Sequence, residues 1–546
     1  MTMFFQFRRI HPLQIIFIAL CGLASLHSDP VRDTSEMDSC RTGCPAEVRI
    51  ALSVELESLD PQISSSIDAI KVQSALFEGL VEMDPFTGKV EASGASSWDT
   101  APDGMELTFH LRNDALWSNG EPVTAKDYVY AFQRLLHPTL GSPYADQYVV
   151  IEGSDRYRQS LSPDSLAITA IDPHTLRIRL EKPTPHFIDL LARPCAAPLH
   201  AATVKGSGDG LSRNETWSTD PGFVTNGPYS LAHWRVNESI RLTPNPLHKR
   251  PGHALRPFLV FRPIESAHVQ ERAFQSGAIH VTSKIPSERI PVYMGQPTLE
   301  TQVELATFYL ILNTNRAGLD SQPLRRMMGN AIDRRTITDH IRMRGEQPTR
   351  SFVPPFHGFP SPPPPADSEN PSIPDSARKL TLIFSSSETN QAIAEAIQAQ
   401  VLENTGIHIN LQRVEWKSYL DRRNRKDFDI CMATWIADYP DPLAFLEMWT
   451  SDAANNFAGW KNPAFDQLIL SSAKCSDPES RIQMLGEAHT LLIREQPIIP
   501  LFHLNRMFLI LPGLRPWGQS LLNTIRYPTL SHPRGKMEIS TVKIQR

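Results

Sequence analysis

The stretch that decides the fold is FDICMATW at residues 428–435, continued by IADYPDPLAFLEMW at residues 436–449. The first eight residues form a largely apolar run, which is typical of a strand covered on both faces. Pro440 and Pro442 predict a stiff loop after it, because proline fixes φ and disfavours helix in the preceding residue. Asp438 then lies just past the carboxyl end of a strand, where open α/β sheets bind ligands. The sequence therefore predicts that Asp438 anchors a binding cleft.

Strand and helix patterns alternate before this run. Residues 380–384 and 407–411 resemble strands, whereas residues 390–403 and 417–424 space their apolar side chains like helices. Such alternation predicts an α/β fold with a parallel sheet covered on both faces. The same periodicities predict further strands at residues 48–54, 107–112, 176–180, 308–312 and 498–502, and helices at residues 71–80, at residues 481–494 and from Thr124 onward.

Length and charge limit the possible classes of protein. A chain of 546 residues exceeds a single hydrophobic core, so two to four structural units are expected. The formal net charge of −5 gives no electrostatic case for a nucleic-acid partner or for an anionic membrane surface.

The N-terminus has the features of an export signal. Residues 1–9 carry two arginines and no acid, and residues 13–23 form an apolar run that is too short to span a bilayer comfortably. We therefore predict a signal peptide at residues 1–24, a disordered leader at residues 25–47 and a location outside the cytoplasm. Lipid attachment at Cys21 is the alternative, although Leu20 fits a lipoprotein signal poorly. Cys40 and Cys44 could form a disulfide or, as the weaker alternative, bind a metal.

No catalytic motif is found along the chain. The sequence contains no G-x-S-x-G elbow, no H-E-x-x-H zinc helix and no Walker-type phosphate loop. Asp438 and Asp441 could in principle act as an acid–base pair, but nothing supplies a substrate geometry for them. We expect a protein that is not an enzyme and that needs no cofactor or metal.

Five stretches, taken in order, resemble the oligopeptide- and dipeptide-binding members of solute-binding protein family 5. They are SLDPQ (58–62) with LFEGL (76–80), LTFHLRNDALWSNGEPVTAKDYVYAFQRL (107–135), VTNGPYSL (224–231), VEWKSYLD (414–421), and TWIADYPDP (434–442) with NNFAGWKNPAFDQLI (455–469). Members of this family are extracytoplasmic receptors of ABC importers. The resemblance implies a peptide ligand, a membrane permease as partner and a monomeric chain.

The resemblance also implies an architecture like that of type II periplasmic binding proteins. Two large lobes would be joined by a hinge and would enclose the ligand as the hinge closes. Lobe I would comprise residues 48–77, 188–304 and 506–546. A small insertion lobe would comprise residues 78–187, and lobe II would comprise residues 305–505.

In the peptide binders of this family, the aspartate of the W-x-A-D-Y motif takes the α-ammonium group of the peptide. That residue is Asp438 in this chain, and a buried ammonium does need a carboxylate partner. The other residues that match ligand-contacting positions are Ser65, Ile67, Thr434, Ile436, Asn455, Trp416 and Trp435. For the two tryptophans, packing in a core is the alternative.

Two departures from the family pattern concern the other end of the peptide. Met432 stands where well-known oligopeptide binders have an arginine, and Asn390 stands where they have a histidine. Both of those residues help to capture the carboxylate at the peptide C-terminus. We therefore hypothesise that Arg342 or Arg423 takes over this role. The ligand could then be a peptide of unusual length, a branched acidic peptide such as a cell-wall tripeptide, or a non-peptide solute such as a metal chelate.

Overall fold

The computed structural model describes residues 47–206, 210–213, 216–249, 257–355, 359–363, 373–374, 379–437, 439–475, 477–514 and 523–526. The predicted signal peptide, most of the leader and its cysteines lie outside these ranges, and so do Asp438 and most of the tail. Among the described residues, no helix combines the length and the apolar character needed to cross a membrane.

Strands and helices are interspersed along the described chain. The strands are β1 (Glu47–Leu52), β2 (Val81–Met83), β3 (Val90–Ala92), β4 (Ala95–Thr100), β5 (Glu106–Leu111), β6 (Ile168–Asp172), β7 (Thr175–Arg179), β8 (Tyr229–Arg235), β9 (Ser239–Pro244), β10 (Phe258–Pro263), β11 (Leu299–Leu312), β12 (Lys379–Ser385), β13 (His408–Val414), β14 (Ile430–Ile436) and β15 (Ile498–Leu509). The helices are α1 (Ile67–Leu76), α2 (Ala125–Leu136), α3 (Ser154–Ser160), α4 (Phe187–Leu190), α5 (Ala201–Lys205), α6 (Ala267–Gln275), α7 (Ile290–Tyr293), α8 (Gln322–Ala331), α9 (Arg334–Thr336), α10 (Glu388–Thr405), α11 (Trp416–Asn424), α12 (Leu443–Leu446), α13 (Pro463–Lys474) and α14 (Pro478–Glu495).

The first sheet has the strand order β1-β10-β9-β8, with β1 parallel to β10 and the other neighbours antiparallel. Its apolar side chains share a core with α1. The predicted helix at residues 71–80 is displaced in the structure. Ser66 caps the helix by accepting a hydrogen bond from Ala69 N–H at 3.1 Å, and Phe77 is already extended. The helix therefore begins and ends about four residues earlier than predicted.

A second sheet, of order β4-β5-β7-β6, is antiparallel throughout and packs against α2. The predicted start of this helix at Thr124 is confirmed. Thr124 is the N-cap, and its backbone N–H donates to Asp127 Oδ2 at 2.7 Å. This reciprocal bond satisfies a donor that the first turn of a helix leaves unpaired.

The third sheet has the order β13-β12-β14-β11-β15 and contains, as β14, the strand predicted at residues 428–435. The predicted parallel arrangement is confirmed for β13, β12 and β14. β11 and β15 are antiparallel additions, so the sheet is mixed. Residues 430–433 of β14 are buried, as their apolar character predicts. Because side chains alternate along a strand, Cys431 and Ala433 belong to one core and Ile430 and Met432 to another.

β11 and β15 form a long ribbon that pairs from Leu299 with Leu509 to Ile311 with Ile498. The pairing is irregular between Val303 and Thr307, and such a bulge bends a strand pair. Beside it, Arg506 Nη2 donates to Glu304 Oε1 at 2.5 Å. The predicted lobe boundaries at residues 304/305 and 505/506 fall at this irregularity, and they stay predictions.

Candidate functional site

The carboxyl end of β14 leaves the core and reaches the surface. Thr434 is exposed, and the side chain of Ile436 is 64% exposed. Trp435, between them, is half-buried because its Nε1–H donates to Ala444 O at 2.8 Å. Thr434 and Ile436 therefore share one face of the strand, and Trp435 lies on the opposite face, where it also supports the following loop.

The main-chain groups at this strand end have a definite direction. Ala437 N–H donates to Leu305 O at 2.9 Å, which marks residues 305 and 437 as a hydrogen-bonded pair of the β11–β14 ladder. Bonded pairs alternate in an antiparallel ladder. The N–H and C=O groups of Thr434 and Ile436 consequently point away from β11.

On that other side, β14 has a strand neighbour only at its beginning. Within the described part of the chain, β12 pairs with β14 only at Ile430 and Cys431. The main-chain groups of Thr434 and Ile436 therefore border an open sheet edge. An open edge can accept the main chain of another strand.

Side-chain hydrogen bonds hold the residues from 439 to 443, which follow the strand. Asp441 accepts two hydrogen bonds of 2.8 Å from the guanidinium of Arg481, and both side chains are buried. Asp441 Oδ1 also accepts from Leu443 N–H at 2.8 Å, and the Tyr439 hydroxyl donates to Glu447 at 2.6 Å. Asp441 is thus a structural anchor of the loop, which leaves no acid–base role for it. Asp438 itself lies outside the described residues.

Helix α11 contributes a row of side chains at positions 416, 419 and 423. Spacings of three and four residues place side chains on the same helix face. Trp416 is 57% exposed, and its ring stacks on Tyr419 with centroids 5.6 Å apart. The Tyr419 hydroxyl donates to Met432 O at 2.6 Å, which fixes α11 to β14. Trp416 therefore lines an open surface, in agreement with a pocket wall and not with a core position.

Arg423 ends this row and is positioned by aromatic rings. Its Cζ lies 4.6 Å from the ring centre of Phe457 and 5.9 Å from that of Tyr419. Its Nε is buried and has no hydrogen-bond partner, and Asn424 Oδ1 at 3.5 Å is the one acceptor its guanidinium has within the described ranges. Asn455 is exposed two residues before Phe457, and its carbonyl accepts from Phe457 N–H at 2.8 Å. The structure thus brings Arg423 and Asn455 into one neighbourhood.

Arg342 is in a different situation. Its Nε and Nη2 donate to the buried carboxylate of Glu346 at 2.7 and 2.5 Å, and its Cζ lies 5.2 Å from the ring centre of Phe502. Phe502 shares its core with Met432, whereas Phe457 shares a core with Cys431. Arg342 and Arg423 therefore lie toward opposite faces of the sheet, and the charge of Arg342 is already neutralised.

Met432 and Asn390, the two departures from the family pattern, carry no charge. Met432 is 4% exposed and packs in the core. Asn390 lies in the first turn of α10, where its Nδ2 donates to Ser385 Oγ at 3.0 Å. Neither residue presents a cation to a ligand.

The remaining predicted contacts are on another element. Ser65 is exposed and Ile67 is 41% exposed at the beginning of α1, which packs against β8 of the first sheet. They belong to the predicted lobe I, whereas the β14 and α11 groups belong to the predicted lobe II. The predicted contacts are thus distributed over the two predicted lobes.

A contact that the sequence analysis missed connects α4 with the loop after Asp438. The His186 ring stacks on Tyr439 with centroids 4.0 Å apart and an interplanar angle of 10°. Removal from water lowers the pKa of His186 to about 4. Removal from water, followed by the charge of Asp441, raises the pKa of Asp189 to about 8. No periodicity signals this contact, because it joins segments some 250 residues apart.

No group of three or more His, Cys, Asp or Glu side chains with metal-binding geometry occurs within the described ranges. The first and third sheets, the long ribbon of β11 and β15, and the exposed end of β14 are together the features of a two-lobed solute-binding protein. A family model for bacterial extracellular solute-binding proteins, family 5, matches residues 89–457. The chain belongs to this family.

Individual relatives agree with this assignment. The chain is 31% identical over 494 residues to the periplasmic oligopeptide-binding protein OppA of Salmonella typhimurium, a match that covers 85% of this chain and 87% of the relative. Two solved structures share its α/β architecture, which confirms the predicted fold class. One is the unliganded open form of the murein tripeptide-binding protein MppA, with a TM-score of 0.78, 30% identity, and coverage of 89% of this chain and 96% of that one.

The other solved structure is Haemophilus influenzae OppA in complex with the peptide RPPGFSPFR. Its TM-score is 0.64, with 27% identity and coverage of 88% of this chain and 98% of that one.

Proposed function

We propose that this protein captures peptides between its two large lobes and delivers them to the membrane permease of an ABC importer. The relatives support this ligand class, since each of the three is named for, or is bound to, a peptide. We propose a monomeric, extracytoplasmic binding protein without catalytic activity, exported by its signal peptide. Lipid attachment at Cys21 is left open.

The observation that carries the proposal is the open edge of β14. The N–H and C=O groups of Thr434 and Ile436 point to the side on which β12 no longer pairs. An extended peptide can add to such an edge through main-chain hydrogen bonds, which give affinity without selecting side chains. Asp438 follows two residues later, so a peptide bound along this edge would have a carboxylate for its ammonium group.

The first test concerns Asp438. We expect Asp438→Asn to weaken the binding of a peptide with a free N-terminus by about 2–5 kcal/mol, because a desolvated ammonium would lose its counter-charge. Calorimetric titration measures this change. An N-acetylated version of the same peptide should bind the wild-type protein about as weakly as the free peptide binds the variant. Equal affinity of variant and wild type would show that Asp438 is not the anchor, and cleavage of the peptide would contradict a pure binding role.

For the peptide carboxylate, we propose Arg423 rather than Arg342. A guanidinium that lies against aromatic rings and has unused donors is suited to a planar, bidentate carboxylate. Arg342 already makes such a pair with Glu346. Using it for a ligand would leave the buried carboxylate of Glu346 without its partner, which is costly.

The two arginines can be separated by matched substitutions. We expect Arg423→Gln to weaken a peptide with a free C-terminal carboxylate by about tenfold or more, as for the loss of a charge-assisted hydrogen bond, and to leave the amidated peptide unchanged. Arg342→Gln should lower thermal stability and leave peptide affinity nearly unchanged. If neither variant alters the affinity, the carboxylate is bound elsewhere.

A branched acidic peptide, such as a cell-wall tripeptide, is the second candidate ligand. The support for it is one solved relative, which is named for binding a murein tripeptide. A metal chelate is disfavoured, since it has no ammonium group for Asp438. Native mass spectrometry of the purified protein, which identifies the ligand that co-purifies, distinguishes these candidates.

A further inference from the structure

A pocket of about 480 Å³ lies on lobe II, away from the cleft. Asn404, which lines it, is at the C-terminal end of α10, whereas Asn390 is at the N-terminal end of the same helix. An 18-residue helix is about 27 Å long, so the pocket is remote from the peptide site. Its polar lining consists of Asn330, Thr349, Asn404, the carboxylate of Asp333 and three arginines, Arg334, Arg335 and Arg350.

Arg334 is 7% exposed and is held by main-chain carbonyls. Its Nε donates to Pro500 O at 2.7 Å, and its Nη1 donates to Gly329 O and to Ile332 O, both at 3.1 Å. These acceptors fix the guanidinium but carry no negative charge. Nη2 has no acceptor among the residues that the structure describes. Burial, followed by the charge of Arg350, lowers the pKa of Arg334 to about 9.

The other two arginines do not have carboxylate partners either, as far as the described residues go. Arg350 Nη1 donates to the amide oxygen of Asn330 at 2.7 Å, and Arg335 is exposed. The carboxylate that lines the pocket is Asp333, and it is occupied in capping α9. It accepts from the backbone N–H groups of Arg335 and Thr336 at 3.0 and 3.4 Å. The pocket therefore combines three guanidinium groups with one carboxylate that is already used.

We propose that this pocket binds an oxyanion of the phosphate type. Guanidinium groups match the oxygens of such an anion with paired, charge-assisted hydrogen bonds, and an anion would neutralise a buried cation whose present partners are uncharged. Asn330, Thr349 and Asn404 supply further polar groups around it. The oxyanion is either free phosphate or the headgroup of an anionic phospholipid. The site is independent of the proposed peptide binding.

The test uses the full-length protein and inorganic phosphate, followed by calorimetry. We expect saturable binding that the double variant Arg335→Gln/Arg350→Gln weakens by about tenfold or more. Both residues are at least partly exposed, so this variant should fold, whereas Arg334→Gln would break buried hydrogen bonds to three main-chain carbonyls. The matched control is Arg425→Gln, which removes an exposed arginine that pairs with Asp421 at 2.7 Å in the same lobe.

A second arm uses vesicles of phosphatidylglycerol in phosphatidylcholine and measures co-sedimentation. Binding to these vesicles that phosphate displaces identifies a headgroup, and binding of phosphate without vesicle binding identifies a free oxyanion. Equal phosphate affinity of the double variant and the wild type, or no binding in either arm, would overturn the proposal. Peptide affinity should be the same in all variants, so failure here does not affect the proposed function.

Discussion

At the scale of single residues, two buried histidines affect how the protein responds to acid. His489 Nε2 accepts from the backbone N–H groups of Phe352 and Val353 at 3.1 and 3.4 Å, which requires a neutral ring. Burial, followed by the proximity of His503, lowers the pKa of His489 to about 3. Burial lowers the pKa of His503 to about 4, and its Nδ1 lies 2.9 Å from Thr307 Oγ1.

These shifts predict a loss of stability on acidification. Below about pH 6.5 the histidines are protonated in the unfolded chain but stay neutral in the folded chain. Each ring therefore lowers the free energy of unfolding by up to about 1.4 kcal/mol per pH unit until its folded pKa is reached. The free energy of unfolding in urea between pH 7 and pH 4 measures this slope. His503→Asn should flatten the slope, whereas His268→Asn, at an exposed position, should leave it unchanged. An unaltered slope in the His503 variant would contradict the assignment.

The sequence predicted which residues are exposed or uncharged, but it did not predict which side chains contact one another. The strand end at residues 434–436 and the uncharged departures at Met432 and Asn390 follow from local sequence and from the family pattern. Arg342 and Arg423 could not be ranked, because their environments depend on Phe502 and Phe457 from distant elements. Glu346, four residues after Arg342, was a local signal that could have suggested an ion pair.

At the scale of elements, α4 packs against the loop after Asp438. It carries Asp189, a carboxyl group whose ionisation is unfavourable. The folded pKa of Asp189 is about 8, so the folded state holds a proton that the unfolded chain releases above about pH 4. Stability is therefore lost as the pH rises from about 4 to about 8. The neighbouring Asp441 adds to this cost by repulsion, and the Arg481 guanidinium offsets it only in part because it is paired with Asp441.

Asp189→Asn should remove this cost. We expect the melting temperature of the variant to exceed that of the wild type by more at pH 8 than at pH 5, because the cost of the proton grows across this window. Thermal unfolding at the two pH values measures the difference. Asp146→Asn, at an exposed aspartate of the insertion lobe, is the control. An equal gain at both pH values would mean that Asp189 is ionised in the folded chain.

The elements themselves were predicted where the pattern is local. The apolar run of β14, the prolines after it and the cap at Thr124 each specify their own structure. The antiparallel neighbours β11 and β15 were not placed, because strand order depends on pairing between residues about 200 positions apart. The irregular pairing near Val303 has no local signal either, since no glycine or proline occurs between residues 300 and 306.

At the scale of the whole molecule, chain length predicted two to four units, and the family pattern predicted three lobes. The arrangement of those lobes could not come from either source. Leu190 at the end of α4 and Leu191 after it belong to the same hydrophobic core as Tyr439 and Leu443 of the loop after Asp438. The segment around α4, at the predicted boundary between the insertion lobe and lobe I, is therefore packed together with this loop.

The core of the first sheet joins the two ends of the described chain, and this has a consequence for the order of folding. Val48 and Ile50 of β1 share their core with Ile510, Leu514 and Ile525. That core cannot be completed before residue 525 has left the ribosome, which at about 5–20 residues per second is on the order of 25–100 s after β1 emerges. The third sheet, in contrast, draws all its strands from residues 299–509. The part of the chain that is made first is thus among the last to acquire its partners.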